Sequence, residues 1–248
     1  MIQLNTTKEQ SLINLDTRKG IVLDVVKSIP SLSNLTSRVA LVLDFSGSMR
    51  NLYKNGTVQS VIERIMPIAM QFDDNGELDL WIFESGYTYI GSVSRDNFYG
   101  LATEIMSRYR MGGTNYAPVM KDIYNKYIKS EPAQIANYVI FITDGDNSDK
   151  RETTETMKEY SKYPIFWQFV GIGREGFSYL EKLDDMGGRY VDNADFFAIK
   201  DINEMDDNTL YRKLLDEYPG WLENPKVKEM IANAGANKSG GLFGMFRR

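Results

Sequence analysis

The sequence predicts an α/β fold: a doubly wound, mostly parallel central sheet with helices on both faces. Three observations predict it. Short apolar runs recur at Val39–Leu43, Leu78–Phe83, Tyr138–Thr143 and Ile165–Val170. They are nearly continuous rather than alternating, as strands covered on both faces must be. Between them lie segments whose apolar residues fall at helical spacing, and strands alternating with helices build parallel sheets.

The elements follow in chain order. Residues 1–37 are polar around a short amphipathic centre, Ile21–Val26, and read as an N-terminal extension with a hairpin turning at Lys19-Gly20. A hairpin is marginal alone, so the main domain, residues 38–222, must cover it. After the first strand, Val58, Val61, Ile62, Ile65, Ala69 and Phe72 mark one helical face. Pro67 lies inside that stripe and predicts a kink or break near Ile65. Asp73-Asp74-Asn75-Gly76 is a turn into the second strand, since Asn-Gly accepts positive φ cheaply. Tyr87–Ile90 suits an antiparallel edge strand. Phe98, Leu101, Ala102, Ile105 and Tyr109 form a second helical set, and Tyr116, Val119, Met120, Ile123, Tyr124 and Tyr127 a third. Asp149 with Glu152 reads as a helix start. Arg189–Val191 reads as a short last strand, and Leu210 to Tyr218 as a final helix stopped by Pro219-Gly220. Residues 223–248 read as a flexible linker and a short apolar tail, Leu242–Arg248.

Composition narrows the function. The 248 residues suffice for one core, and the net charge of −5 offers no basic footprint for nucleic acid. The absence of cysteine removes disulfides, thiol nucleophiles and sulfur-ligated metals. The absence of histidine removes the usual general base and every histidine-ligated metal centre. No apolar run approaches the ~20 residues of a membrane span, and the N-terminus lacks the layout of a signal peptide. The expectation is a cytoplasmic protein that is not an enzyme.

One constellation carries chemistry. The first strand ends in Asp44-Phe45-Ser46-Gly47-Ser48, a carboxylate followed by two hydroxyls at alternate positions. Met111–Asn115 is a glycine turn presenting Thr114, and the strand Tyr138–Thr143 ends in Asp144-Gly145-Asp146. Oxygen ligands of this kind suit Mg²⁺, Mn²⁺ or Ca²⁺. In an open doubly wound sheet, ligands bind beyond the carboxyl ends of the strands, where Asp44 and Asp144 fall.

These residues resemble the von Willebrand factor type A domain with a complete metal-ion-dependent adhesion site, a Rossmann-like fold. That family's D-x-S-x-S, threonine and aspartate map without departure to Asp44, Ser46, Ser48, Thr114 and Asp144. The stretches Phe141–Lys150, Pro164–Gly173 and Val191–Phe197 resemble its tellurium-resistance (TerF-like) subgroup. The resemblance implies that the two serines and the threonine touch the metal while the aspartates act directly or through water. Two carboxylates only balance a 2+ ion, so the ion stays a strong Lewis acid with a position open to solvent. A partner protein's Asp or Glu carboxylate is the natural sixth ligand, and Mg²⁺ is preferred because it tolerates water-rich coordination. The resemblance further implies a place in tellurium resistance and stress response.

Two rival readings attach to the same loops. A metal-dependent phosphohydrolase would use Asp44 as nucleophile, but Arg110, Lys150 and Arg151 provide no evident base. Asp144, Asp146, Ser148 and Glu155 match four positions of an EF-hand calcium loop. Asp149, however, stands where that loop needs glycine, and the preceding element is a strand.

Overall fold

The computed structural model describes residues 6–173 and 176–235. Six strands form one sheet in the order β3-β2-β1-β4-β5-β6: β1 Ser37–Asp44, β2 Leu78–Phe83, β3 Tyr87–Val93, β4 Ala136–Thr143, β5 Ile165–Ile172 and β6 Ala194–Ile199. Every neighbouring pair is parallel except β2 with β3, which is antiparallel, so Tyr87–Ile90 lies on an edge as expected. The doubly wound α/β reading is correct. The chain leaves β1 toward β2 on one side and reaches β4 on the other. The switch in strand order therefore falls between β1 and β4.

Alternation along each strand splits the core. Leu41 and Leu43 join one buried cluster, Ala40 and Val42 the other. The first face is covered by α1 Lys8–Lys27, α3 Thr57–Phe72, α4 Leu101–Arg108, α8 Asp207–Leu214 and α9 Tyr218–Glu223. The second is covered by α5 Ala117–Tyr124, α6 Lys150–Tyr160 and α7 Ser178–Asp184. Short α2, Arg50–Lys54, follows the first loop, and α10, Pro225–Asn233, ends the described chain.

Several expectations are corrected. The N-terminal hairpin is instead a single helix, α1. It is capped by the Thr7 hydroxyl and buries Leu15, Val22, Val25 and Val26. Gly20 sits on its exposed face with open space around it, so it costs helix propensity without breaking the element. Helix α3 runs unbroken through Pro67 because both its faces are packed. The last strand is Ala194–Ile199, not Arg189–Val191, and Phe98 is buried just outside α4. Pro219 does not stop a helix but opens α9, where its missing N–H is no loss. The segment read as starting a linker at 223 contains α10, whose Val227 is fully buried. The tail Leu242–Arg248 lies outside the described residues.

Candidate metal centre

The first loop is held from both sides. Where β1 ends, the Phe45 N–H donates to the Phe83 carbonyl at 2.7 Å, and the Phe45 ring packs edge-on to Tyr53 at 5.1 Å. A buried ring at the second position forces the flanking side chains, Asp44 and Ser46, to the opposite side. Gly47 then donates to the Gly112 carbonyl at 3.1 Å, joining the first loop to the glycine turn.

Gly112 and Gly113 lie close against the β2–β3 turn. A Cβ on Gly112 would run into the Glu84 side chain, 3.2 Å from its Cβ, and one on Gly113 would lie 2.9 Å from the Ser85 hydroxyl, so larger residues would have to push these side chains aside. The β2–β3 turn also holds Asn115, whose N–H donates to the Glu84 carbonyl at 2.8 Å. This support by Glu84 and Ser85 has no signal in the sequence.

Asp44, Ser46, Ser48 and Asp144 form one continuous polar chain. Asp44 is fully buried: one carboxylate oxygen accepts from the Ser46 N–H at 2.7 Å, the other from the Thr143 hydroxyl at 2.7 Å. The Ser46 and Ser48 hydroxyls are 2.9 Å apart, and Ser48 donates to Asp144 at 2.9 Å. Thr114 is placed through its backbone, its carbonyl accepting from the Ser148 N–H at 2.8 Å. The three loops thus meet at the carboxyl ends of β1 and β4. Burial pushes the Asp44 carboxyl up to about 6; hydrogen bonds from Ser46 and Thr143 oppose this, and the nearby Asp144 charge adds to it. The site attracts positive charge while its central carboxylate resists being charged without it.

Asp149 contributes differently from its sequence reading. It precedes α6 but makes no cap there. Its carboxylate instead accepts from the backbone N–H groups of Tyr116 at 3.0 Å and Ala117 at 2.9 Å, at the start of α5. It thereby fixes Thr114 relative to Asp144. Asp149→Ala is expected to cost about 1–2 kcal/mol, as loss of a helix cap does. It should also weaken divalent-cation affinity about 10-fold, in the range of supporting groups behind metal ligands. Thermal melts and calorimetric Mg²⁺ titration of the variant check both numbers; unchanged affinity would separate Asp149 from the centre.

The EF-hand reading finds no support. Glu155 lies on α6, two-thirds exposed and paired with Arg151 at 3.1 Å, and the loop enters from strand β4. Asp146 pairs with Lys150 at 2.5 Å, while Asn147 is buried and donates to Asp149 at 2.5 Å.

Comparison with known proteins agrees with this architecture. The family model vWA-TerF-like, described as the vWA found in the TerF C terminus, matches residues 36–231. YcbR, an uncharacterized protein of Bacillus subtilis (strain 168), is 42% identical over 89% of this chain and 91% of its own length. Among solved structures, proximal thread matrix protein 1 of the mussel byssus, with a zinc-occupied MIDAS motif, aligns with a TM-score of 0.55 at 15% identity. That alignment covers 75% of this chain and 46% of the byssus protein, so the chain spans less than half of it. Manganese-loaded TRAP of Plasmodium vivax aligns with a TM-score of 0.52 at 16% identity, over 78% of this chain and 74% of TRAP. At such identities the structural likeness shows the fold alone. The sequence matches go further: the chain belongs to the vWA-TerF-like family.

Proposed function

We propose that this family member is a metal-dependent protein-binding module, not an enzyme, that holds Mg²⁺ through Ser46, Ser48 and Thr114, with Asp44 and Asp144 direct or through one water. The observation that carries the reading is the oxygen chain at the switch point. In an octahedron with metal–oxygen distances of about 2.0–2.1 Å, adjacent ligands stand about 2.9 Å apart. The Ser46–Ser48 and Ser48–Asp144 separations are both 2.9 Å. Without the ion the same spacing is a hydrogen-bond chain, so ligation needs little rearrangement. The larger Ca²⁺ would have to spread these oxygens, and Mn²⁺ stands between. A bound ion supplies Lewis acidity toward an incoming carboxylate, and two protein carboxylates leave it no surplus of negative charge to repel one. A partner's Asp or Glu fits that position.

The binding reading is also supported against phosphoester hydrolysis by the engagement of nearby cations. Lys150 is paired with Asp146 and Arg151 with Glu155, which leaves neither disposed to neutralise a leaving group. The solved neighbours that carry zinc and manganese are consistent with a divalent-cation site of this geometry. The association with tellurium resistance and stress response rests on the family name and the TerF-like stretches. No helix among the described residues is long and apolar enough to cross a membrane.

The test is calorimetric titration with Mg²⁺ and Mn²⁺, followed by capture of partners from native lysate with Mg²⁺ or chelator. Binding at one site is expected at pH 7.5. Because Asp44 holds its proton up to about 6, the affinity should fall about 10-fold per pH unit below that value, as proton and cation compete for one carboxylate. A Mg²⁺ affinity that stays flat from pH 7.5 to 4.5, or partner capture unaffected by chelator, would sink the proposal.

A further inference from the structure

A cavity of about 730 Å³ lies beside the amino ends of β4 and β5, where Pro132 and Pro164 lead into the two strands. The strands are parallel, so this is the end of the sheet opposite Asp44 and Asp144. Its volume falls within the roughly 300–1,000 Å³ of sites that hold small organic molecules. What it would hold follows from how its walls are built and charged.

One wall forms where α5 changes its hydrogen bonding. After Tyr124 the helix widens into a π-helical turn, Asn125–Ser130, in which the Glu131 N–H donates to the Lys126 carbonyl, five residues back, at 2.8 Å. Such turns are rare and recur at functional sites. This one brings Tyr127, Ile128 and Lys129 to the cavity. The Tyr127 ring is fixed, because its hydroxyl donates to Asp79 at 2.8 Å and the Arg38 guanidinium lies over it at 5.4 Å. Tyr163 and the buried Pro164 continue the lining. Tyr163 packs edge-on to Tyr124 at 4.8 Å, and Tyr124 stacks on Tyr160 at 4.3 Å, so the ring is supported from behind. Helix α10 adds Lys226 and Met230, and the Gln134 Nε2 donates to the Ala232 carbonyl at 2.9 Å, tying that helix to the segment before β4. The aromatic walls are thus held by contacts outside the cavity, which is formed before anything enters it.

The charge of the lining is positive in a chain whose net charge is −5. Lys129, Lys162 and Lys226 line the cavity against one acid, Glu229. Among the described residues, none of these three lysines has a carboxylate partner. Neighbouring acids are engaged elsewhere: Glu131 pairs with Lys126 at 3.1 Å and Glu223 with Lys228 at 2.6 Å. Two of the three ammonium groups are positioned by tyrosines instead. The Lys226 Nζ lies 4.4 Å from the centre of the Tyr190 ring and donates to the Tyr190 carbonyl at 3.1 Å, and the Lys129 Nζ lies 5.4 Å from the Tyr124 ring. A ring face attracts an ammonium but leaves its charge uncancelled. Tyr190 itself is 44% exposed, a large ring left beside an unneutralised cation.

We propose that this cavity binds a small aromatic anion: a flat ring system packed among Tyr127, Tyr163 and Tyr190, with its acid group received by Lys129, Lys162 and Lys226. Aromatic walls favour a ring by offset stacking and edge contacts, and an ammonium bonded to an anionic oxygen makes a charge-assisted hydrogen bond. Lysines act as point charges without the planar fork of arginine, so the site selects for charge beside a ring rather than for one acid geometry. An inorganic anion would leave the rings unused, and a neutral arene would leave the cations unneutralised. Residues 236–248 follow Gly235 at the edge of the cavity, but they carry Lys238, Arg247 and Arg248 and no acidic side chain. Charge therefore favours an anionic ligand over the chain's own tail. The site is separate from the metal centre and does not rest on it.

The experiment uses the full chain in chelator, with anilinonaphthalene sulfonate as the fluorescent aromatic anion. Phenylnaphthylamine, the same ring system without the acid group, and inorganic phosphate serve as the two half-ligands. Fluorescence and calorimetric titration with the sulfonate should give one saturable equivalent, and each half-ligand should bind about 10-fold more weakly or worse. The combined variant Lys129→Gln, Lys162→Gln, Lys226→Gln should weaken the sulfonate about 10-fold and abolish its salt dependence, while leaving phenylnaphthylamine unchanged. Tyr190→Ala should weaken both aromatic probes, since it removes a ring and no charge. All four side chains are exposed, so the melting temperatures should match the parent's, which verifies folding. Equal sulfonate affinity in the parent and the lysine variant, or phenylnaphthylamine binding as tightly as the sulfonate, overturns the proposal. So does the absence of saturable binding to the full chain, the result expected if residues 236–248 or a second copy already filled the cavity.

Discussion

Deleting residues 1–27 is expected to leave a chain that does not fold. Helix α1 buries Leu15, Val22, Val25 and Val26 to 4% exposure or less against the face carrying α3 and α8. At about 1.5–3 kcal/mol per buried aliphatic side chain, the four contribute about 6–12 kcal/mol, an upper estimate. A domain's whole stability is about 5–15 kcal/mol. Polar contacts point the same way. The Ser11 hydroxyl donates to the buried Glu63 at 3.2 Å, and Arg18 pairs with Asp207 at 3.0 Å. Asp207 is also the partner of Arg64, which is 3% exposed and donates to the Ile202 and Met205 carbonyls as well. Removing α1 would open this network to water on one side. The truncated protein should lack a cooperative thermal transition, and Leu15→Ala in the full chain should cost about 2–5 kcal/mol. A truncated chain melting within a few degrees of the full one would return residues 1–27 to the status of an appendage.

Asp44→Asn should separate stability from metal binding. The asparagine oxygen can still accept from the Ser46 N–H, and its NH2 would face the Thr143 hydroxyl, which can turn to accept, but the buried charge disappears. Asp44 has a folded-state value of about 6 against an ordinary value of 3.8. An acid whose value is raised by folding destabilises the fold when charged, fully above about pH 6 and not at all below 3.8. Two units at 1.36 kcal/mol each bound the effect near 3 kcal/mol. Metal-free Asp44→Asn should therefore exceed the parent in stability by about 1–3 kcal/mol at pH 8, with the advantage vanishing as pH falls through 6 toward 4. Its Mg²⁺ affinity should drop at least 100-fold, since half the site's neutralising charge is gone. Denaturant melts at pH 8 and pH 4, with calorimetry at pH 8, check both halves. A variant less stable than the parent at pH 8 would mean that the Asp44 carboxylate organises the loop by itself, without an ion.

Residues that share a local pattern were legible in the sequence. The apolar runs of β1, β2, β4 and β5 show themselves because a strand covered on both faces excludes polar side chains along its whole length. Asp44, Ser46 and Ser48 sit within five residues, and their alternation alone puts oxygens on one side of a loop. Thr114 and Asp144 are legible because a glycine turn and a strand end each mark a place where a side chain reaches the sheet's carboxyl edge.

What the tertiary structure decided depends on partners distant in the chain. Lys19-Gly20 carries a turn's local signal, yet the segment is helical because α3 and α8 offer an apolar face that outweighs the cost of one glycine. Arg189–Val191 has apolar character but lies outside the sheet, and Ala194–Ile199 takes the edge beside β5 because its register lets Ala194 and Ile199 reach opposite buried faces. Asp149 looks like a cap for the helix that follows it and instead caps the start of α5, more than thirty residues earlier in the chain. The burial of Asp44, and with it the shifted carboxyl, cannot be read from a motif, because desolvation is set by Tyr53, Thr143 and Tyr116 closing around the loop. Sequence alone determined the fold class and nominated Asp44, Ser46, Ser48, Thr114 and Asp144, since both follow from short-range periodicity and residue chemistry. Helix docking, the supports behind the loops and the gathering of Lys129, Lys162 and Lys226 around one cavity were decided by the tertiary structure, because burial and charge proximity are sums over residues that only folding brings together.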